Sequence, residues 1–220
     1  MWRIRLDASP SSLDIARRTL SQDEHARAAR FRVDEARDAY VASHVALRSI
    51  LAAYVRREPA DLVFELGEHG KPRLADARAE PALRFNLTHS ADLALCIVGT
   101  DGAVGIDVER VASVRNLDRL AERHFSESEL AEWTDLSSED RQAGFYRVWT
   151  RKEALLKAAG LGLSRPLERV DSIGGRLDGT RYWLRDIAVG EGFRGAVACE
   201  RVPTAVRCYI WEGGVPTDGS

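Results

Sequence analysis

The chain has 220 residues, 45% hydrophobic and 30% charged, a balance that supports a buried core in one large domain or two compact ones. The formal net charge of −2 is the remainder of 32 basic and 34 acidic residues, so the basic excess of a general nucleic-acid binder is missing. No apolar run approaches the ~20 residues a membrane helix needs, and the first residues carry no signal-peptide pattern.

Cys96, Cys199 and Cys208 are odd in number and widely spaced, without zinc-ligand spacing. The expectation is a cytoplasmic protein with three reduced, buried thiols. Trp2 to Leu6 alternates as a strand does. Ser21 to Glu24 is a Ser-x-x-Glu capping box that opens a helix. Arg27 and Arg30 lie three apart and share a helical face, which suits either a solvated surface or a two-pronged phosphate clamp. From Asp34 to Arg56 an apolar stripe through Val41, Val45, Leu47, Ile50, Leu51 and Tyr54 predicts a long helix, interrupted by Ser43, His44 and Arg48.

Leu62 to Leu66 is a short strand candidate, and Gly70-Lys71-Pro72 falls in a turn. Arg84 onward reads as a strand running into a polar turn at Thr88-His89-Ser90, followed by a buried strand, Leu93 to Val98. Thr100-Asp101-Gly102 turns into Ala103-Val104-Gly105-Ile106-Asp107-Val108-Glu109. Alternation puts Val104, Ile106 and Val108 on one face and Gly105, Asp107 and Glu109 on the other. Two carboxylates then stand roughly 6–7 Å apart along the strand. A hard divalent cation between them fits this arrangement; an edge strand with a solvated acidic face fits it too. Leu93–Val98 and this strand are expected to form a hairpin that brings His89 toward the carboxylates.

Val114 to Phe125 reads as a basic amphipathic helix with Arg115, Arg119 and Arg123. Ser126 onward starts another, where Glu129 is a favourable first-turn acid. Phe145 to Gly160 forms the second strong helix, with Phe145, Val148, Trp149, Leu155, Leu156 and Ala159 as its stripe. Glu153 and Lys157 flank that stripe four residues apart, whereas Lys152 falls in its middle and must snorkel, pair or face a polar cavity. Tyr182–Leu184, Gly195–Cys199 and Val206–Trp211 read as strands. Each half thus holds a long helix and a few strands, and the division predicts an α+β fold of two similar lobes with a site between them.

Gly70-Lys71-Pro72, Phe85-Asn86-x-Thr88-His89-Ser90, Gly105-x-Asp107-x-Glu109 and Trp149-Thr150-x-Lys152-Glu153-Ala154-x-x-Lys157 follow one another in this order. The set resembles the 4′-phosphopantetheinyl transferases of the longer, surfactin-synthetase-activating type, over roughly residues 20 to 200. Thr88 stands where that family usually has serine. The resemblance implies a monomer, a pseudo-dimer of lobes at 1–102 (nucleotide side) and 103–212 (metal and carrier side); residues 213–220, past the last expected strand, are expected to be a flexible tail. It implies transfer of the phosphopantetheine arm of coenzyme A to a serine of an apo acyl, peptidyl or aryl carrier protein, releasing adenosine 3′,5′-bisphosphate.

Asp107, Glu109 and Glu153 would hold Mg²⁺, for which Mn²⁺ could substitute. Lys157, His89 and Thr88 would meet phosphate, Lys71 and Pro72 the nucleotide end, and Arg27 and Arg30 the 3′-phosphate, with Ser43 as a further phosphate contact. Glu153, a metal-bound water or Glu129 would serve as base, and no membrane or nucleic-acid partner is implied. The competing readings are a relative that binds coenzyme A or a carrier without transfer, and a metal-dependent phosphodiesterase.

Overall fold

The computed structural model describes residues 1–6, 12–75, 82–162 and 165–212; the tail expected at 213–220 lies outside them. The fold is α+β, and its two halves repeat one order of elements. The first runs β1 (Trp2–Arg5), α1 (Ser12–Thr19), α2 (Gln22–Ala28), α3 (Asp34–Val55), a 3-10 turn at Pro59–Asp61, the hairpin β2 (Phe64–Leu66) and β3 (Pro72–Leu74), then β4 (Arg84–Ser90) and β5 (Leu93–Gly99). The second runs β6 (Val104–Arg110), α4 (Leu117–His124), α5 (Glu127–Thr134), α6 (Arg141–Ala159), a 3-10 turn at Leu167–Arg169, the hairpin β7 (Arg176–Leu177) and β8 (Thr180–Arg181), then β9 (Trp183–Ile187) and β10 (Phe193–Cys199). Sheet order repeats as well: β1-β5-β4 in one half, β6-β10-β9 in the other, all antiparallel.

The last strand, β11 (Tyr209–Trp211), crosses back and pairs in parallel with β1. The stretch assigned by sequence to the second lobe therefore completes the first sheet. The expected hairpin between β5 and β6 does not form, because β5 pairs with β1 and β4 while β6 pairs with β10. The Thr100–Gly102 turn instead carries the chain from one sheet to the other. Thr88, His89 and Ser90 lie within β4 rather than in a turn. Cys96 and Cys199 are buried as expected, but Cys208 is exposed.

Three apolar clusters hold these layers. In the first, α3 lays Ala46, Leu47, Ile50 and Leu51 on Ile4, Phe85, Ala94 and Cys96. In the second, Ala154, Leu155, Leu156 and Ala158 of α6 pack on Leu184, Ala196 and Ala198. Between the sheets, Leu93, Leu95 and Ile97 of β5 meet Val104, Ile106 and Val108 of β6 and Val197 of β10. Strand β5 is thus covered on both faces, which is why its sequence is a continuous apolar run rather than an alternation. Burying such a side chain stabilises by about 1.5–3 kcal/mol.

Each long helix is also pinned by one buried cation. Arg48 of α3, 1% exposed, donates to Glu24 (2.7 Å) and to the carbonyls of Pro59 and Leu62 (2.8 and 2.9 Å). Lys152 of α6, fully buried, pairs with Glu129 (2.5 Å) and donates to the carbonyls of Leu167 and Val170 (2.8 and 2.7 Å). Both acids are the N3 residues of capping boxes, Ser21/Glu24 on α2 and Ser126/Glu129 on α5. The lysine that breaks the apolar stripe of α6 is therefore the hub that ties α5 and the following 3-10 turn to that helix.

Candidate active site at the seam between the sheets

Strands β4 and β6 run beside each other without a backbone ladder. Side chains on alternate positions of β4 bridge the gap. The amide of Ile106 donates to Asn86 Oδ1 (2.9 Å), Thr88 Oγ1 donates to Asp107 Oδ1 (3.0 Å), and Ser90 Oγ donates to Glu109 (2.8 Å) and accepts from the amide of Arg110 (3.1 Å). The period of two in β4 places all three on the face turned to β6.

Helix α6 closes the seam from the β6 side. Gly105 makes this approach possible: a Cβ there would overlap the Ala154 carbonyl and the Ala158 amide. Glu153 and Lys157 are thereby set against Asp107. Lys157 Nζ contacts Asp107 Oδ1 at 2.6 Å and Thr88 Oγ1 at 3.0 Å, so a cation, a hydroxyl and a carboxylate form one triangle.

The acids repel one another. Burial raises the carboxyl of Asp107, which is 3% exposed, although the Lys157 charge opposes the shift. Burial and then the charge of Asp107 raise Glu109, against the Ser90 hydrogen bond. Glu153 is pushed up to about 7 by burial, then by Asp107, with a further contribution from Glu109. Two buried oxygens, Asp107 Oδ2 and Glu153 Oε1, have no hydrogen-bond partner. Among the described residues, no three His, Cys, Asp or Glu side chains converge as a ready-made metal site. The orphaned oxygens and the mutual repulsion are nonetheless what a hard cation would relieve, and oxygen-only donors suit Mg²⁺. The donor set fits such an ion.

A line of basic groups leads away from the acids. Partial desolvation and then the charge of Lys157 lower His89. Burial chiefly lowers His44, with Arg27 and His89 adding to the shift against its hydrogen bond to Tyr40 O (2.8 Å). The rings of His44 and Tyr40 lie 3.9 Å apart, tilted by 30°, and the guanidinium of Arg27 lies 5.6 Å from the Tyr40 ring. Arg27 and Arg30 line an open cavity of about 580 Å³ with Phe31. A second cleft, of about 480 Å³, opens at the Val104 end of the seam, where Lys71, Pro72 and Arg84 face Ala158–Gly160.

Of the residues singled out by sequence, Asp107, Glu109, Glu153, Lys157 and Thr88 come together, with His89 beside them. Arg27 and Arg30 stand at the far end of the basic line. Pro72 lines the second cleft, and the ammonium of Lys71 points to backbone carbonyls. Ser43 is fully buried, its hydroxyl bonded to Tyr40 O (2.9 Å), so it offers no surface. Glu129 is 1% exposed, and both its oxygens are taken, by Lys152 and the Ser126 amide and by the Ser172 amide (2.8 Å). It stands in the support of α6 and not in the seam. Ser90, which the sequence sets beside Thr88 and His89 without a role, belongs to the alternation Asn86, Thr88, Ser90 that bridges the seam; nothing in the sequence pattern marks His44 as a contributor.

Sequence comparison places the chain among known proteins. The profile of the 4′-phosphopantetheinyl transferase superfamily matches residues 103–186, and that of the 4′-phosphopantetheinyl transferase N-terminal region matches 5–100. 4′-Phosphopantetheinyl transferase HetI of Nostoc sp. is 43% identical over 78% of this chain and 72% of its own length. Sfp of Bacillus subtilis is 30% identical over 69% of this chain and 70% of its own. AcpT of Salmonella typhimurium is 37% identical over 60% and 65%. The chain belongs to the 4′-phosphopantetheinyl transferase family and is an enzyme of that type. Among the described residues, no helix is long and apolar enough to cross a membrane.

Proposed function

We propose that the protein transfers the 4′-phosphopantetheine arm of coenzyme A to a serine of an apo acyl, peptidyl or aryl carrier protein in the cytoplasm, acting as a monomer. One observation carries this reading: the basic line Arg27–His44–His89–Lys157 ends on the acids Asp107, Glu109 and Glu153. Such a line matches a substrate with a phosphate at one end and a pyrophosphate to be cleaved at the other.

In this reading residues 1–102 supply the nucleotide side and 103–212 the carboxylates and the carrier face. Arg27 and Arg30 hold the 3′-phosphate, which the fork of a guanidinium suits. Pro72 and Arg84 border the nucleotide end. His89 and Lys157 hold the bridging phosphates, and Thr88 keeps Lys157 and Asp107 in register. Asp107, Glu109 and Glu153 would hold Mg²⁺, which supplies charge neutralisation for the pyrophosphate and its leaving oxygen. The carrier serine oxygen forms a bond to the phosphorus next to pantetheine as that phosphorus releases adenosine 3′,5′-bisphosphate. The serine proton passes to the Glu153 carboxylate, directly or through one water. The mainly basic concavity formed by Arg115 before α4 and by Arg119, Leu120 and Arg123 on it, with Glu122 at its edge, is the carrier-docking surface.

The test is to incubate the protein with coenzyme A, Mg²⁺ and a panel of apo carriers and to weigh each carrier. The expected result is a gain of one phosphopantetheine arm on the serine. Release of adenosine bisphosphate with no carrier present, or no gain on any carrier, rejects the proposal.

A further inference from the structure

The chain carries 29 arginines but only three lysines, Lys71, Lys152 and Lys157. All three converge on α6. Lys152 and Lys157 project from it, and Lys71 reaches it from the other half of the molecule. Lys71 sits where the β2–β3 turn returns, and its ammonium donates to Val104 O (2.8 Å), Lys157 O (2.6 Å) and Ala158 O (3.3 Å). All three partners lie in the second half. Val104 begins β6, the strand of Asp107 and Glu109. Lys157 and Ala158 form the last turn of α6, which Gly160 closes with φ +72°.

Three carbonyls gathered on one point require a compact donor with three hydrogens, and an ammonium has that form where a planar guanidinium does not. A cation also offsets the partial negative charge at a helix C-terminus. Burial lowers the Lys71 ammonium to about 8, with Arg84 adding to the shift, so even this favourable setting does not repay its full desolvation.

We propose that Lys71 is a positioning residue: a strut from the first half that clamps the start of β6 to the end of α6 and so holds Lys157 against Asp107. This rests on the transferase reading above, but it gives Lys71 a different part from that of a nucleotide ligand. A ligand would turn its ammonium into the cleft when coenzyme A binds. A strut keeps it on the carbonyls throughout.

Two measurements separate these, and the first needs no activity. With only three lysines and the N-terminus to modify, reductive methylation followed by peptide mass analysis reads Lys71 directly in the wild-type protein. The strut requires slow methylation of Lys71 with and without coenzyme A, at rates within about twofold of each other. Fast methylation in the free protein, or protection that appears only with coenzyme A, overturns it.

The second is kinetic, on Lys71→Met and Lys71→Arg in carrier modification. Misplacing Lys157 should lower kcat about 10–100-fold while the KM for coenzyme A stays within threefold. Lys71→Arg should recover part of the loss, because it restores a cation at the helix end. A raised KM with unchanged kcat, or no change in either, overturns the proposal. If Lys71→Met does not fold, the methylation result decides. If the wild-type protein modifies no carrier, the transferase reading fails, and the methylation result still tests the strut.

Discussion

Replacing Lys152 by methionine should be among the most damaging single substitutions in this protein, although Lys152 touches no substrate in the proposed reaction. The ammonium is fully buried against Glu129, whose side chain is itself 0% exposed. Methionine fills a similar volume, so packing changes little. The loss is electrostatic: Glu129 is left as an uncompensated buried carboxylate, and the carbonyls of Leu167 and Val170 lose their donor. Breaking one side of a buried ion pair costs about 3–5 kcal/mol, a large fraction of a total stability of about 5–15 kcal/mol. For a chain of this length each kcal/mol moves Tm by about 2–4 °C, so a fall of roughly 6–20 °C is expected. Urea unfolding followed by tryptophan fluorescence gives the free energy directly. Adding Glu129→Leu to Lys152→Met removes the stranded charge, and the double variant should recover at least about half of the loss, as a coupled pair does in a double-mutant cycle. A loss below about 1 kcal/mol in Lys152→Met, or strictly additive effects in the double variant, would show that the pair is not the hub inferred for α6.

Four further outcomes follow from the same geometry. Glu129→Gln keeps the capping shape and should leave kcat within about tenfold, far less than the about 10²–10⁴-fold lost with a general base; a larger fall at unchanged Tm would return Glu129 to the chemistry. Asp107→Ala should abolish transfer, and chelation of Mg²⁺ should do the same to the wild-type protein; turnover surviving in either, measured by carrier mass, removes the metal assignment. Because the folded pKa of Glu153 lies above its unfolded value, the folded state binds more protons between about pH 4.5 and 7, so metal-free protein should lose stability as pH rises through that window. Solvent screening of this half-buried group limits the loss to about 1–2 kcal/mol; Glu153→Gln should flatten the Tm–pH curve in chelator, and an unchanged slope refutes the shift. Charge reversal at Arg115, Arg119 and Arg123 should raise the KM for the carrier and leave coenzyme A binding unaltered; the opposite pattern removes α4 from the docking surface.

Much of this arrangement was legible in the sequence because periodicity reports burial directly. The stripe of α6, that of α3 except for the exposed Tyr54, the alternation of Val104, Ile106 and Val108, and the capping box at Ser21–Glu24 stand where local pattern put them; the second box, Ser126–Glu129, reads in the sequence only as a helix start. What stayed hidden was non-local. The turn Thr100–Gly102 looks like a hairpin turn, yet it hands the chain to a different sheet, because β5 is already paired on both edges. Nothing near Tyr209 announces that its strand returns to Trp2. Lys152 was visible as an anomaly in the stripe, but its partner Glu129 satisfied a simpler rule as a first-turn acid. Ser43 and His44 are neighbours on one helix, and pattern could not tell which turns inward; the buried one is Ser43.

The repeated frame also gives a reason for the acids of the candidate site lying in one half only. Aligning the halves on their buried cations sets Ser49 of α3 opposite Glu153 of α6, since each follows its cation directly, and Ala53 opposite Lys157. Ser49 is buried and returns its hydroxyl to Val45 O (2.9 Å), so α3 presents no charge where α6 presents two. An acidic cluster in both halves would need two counter-charges buried in one small protein, and each unpaired buried acid costs several kcal/mol. Confining the acids to the second half lets the first half serve them instead, through Thr88 and Ser90 on β4 and through Lys71 at the end of α6. The seam is therefore asymmetric by function on a frame that is repetitive by construction, and installing an acid at Ser49 should destabilise the protein without creating a second site.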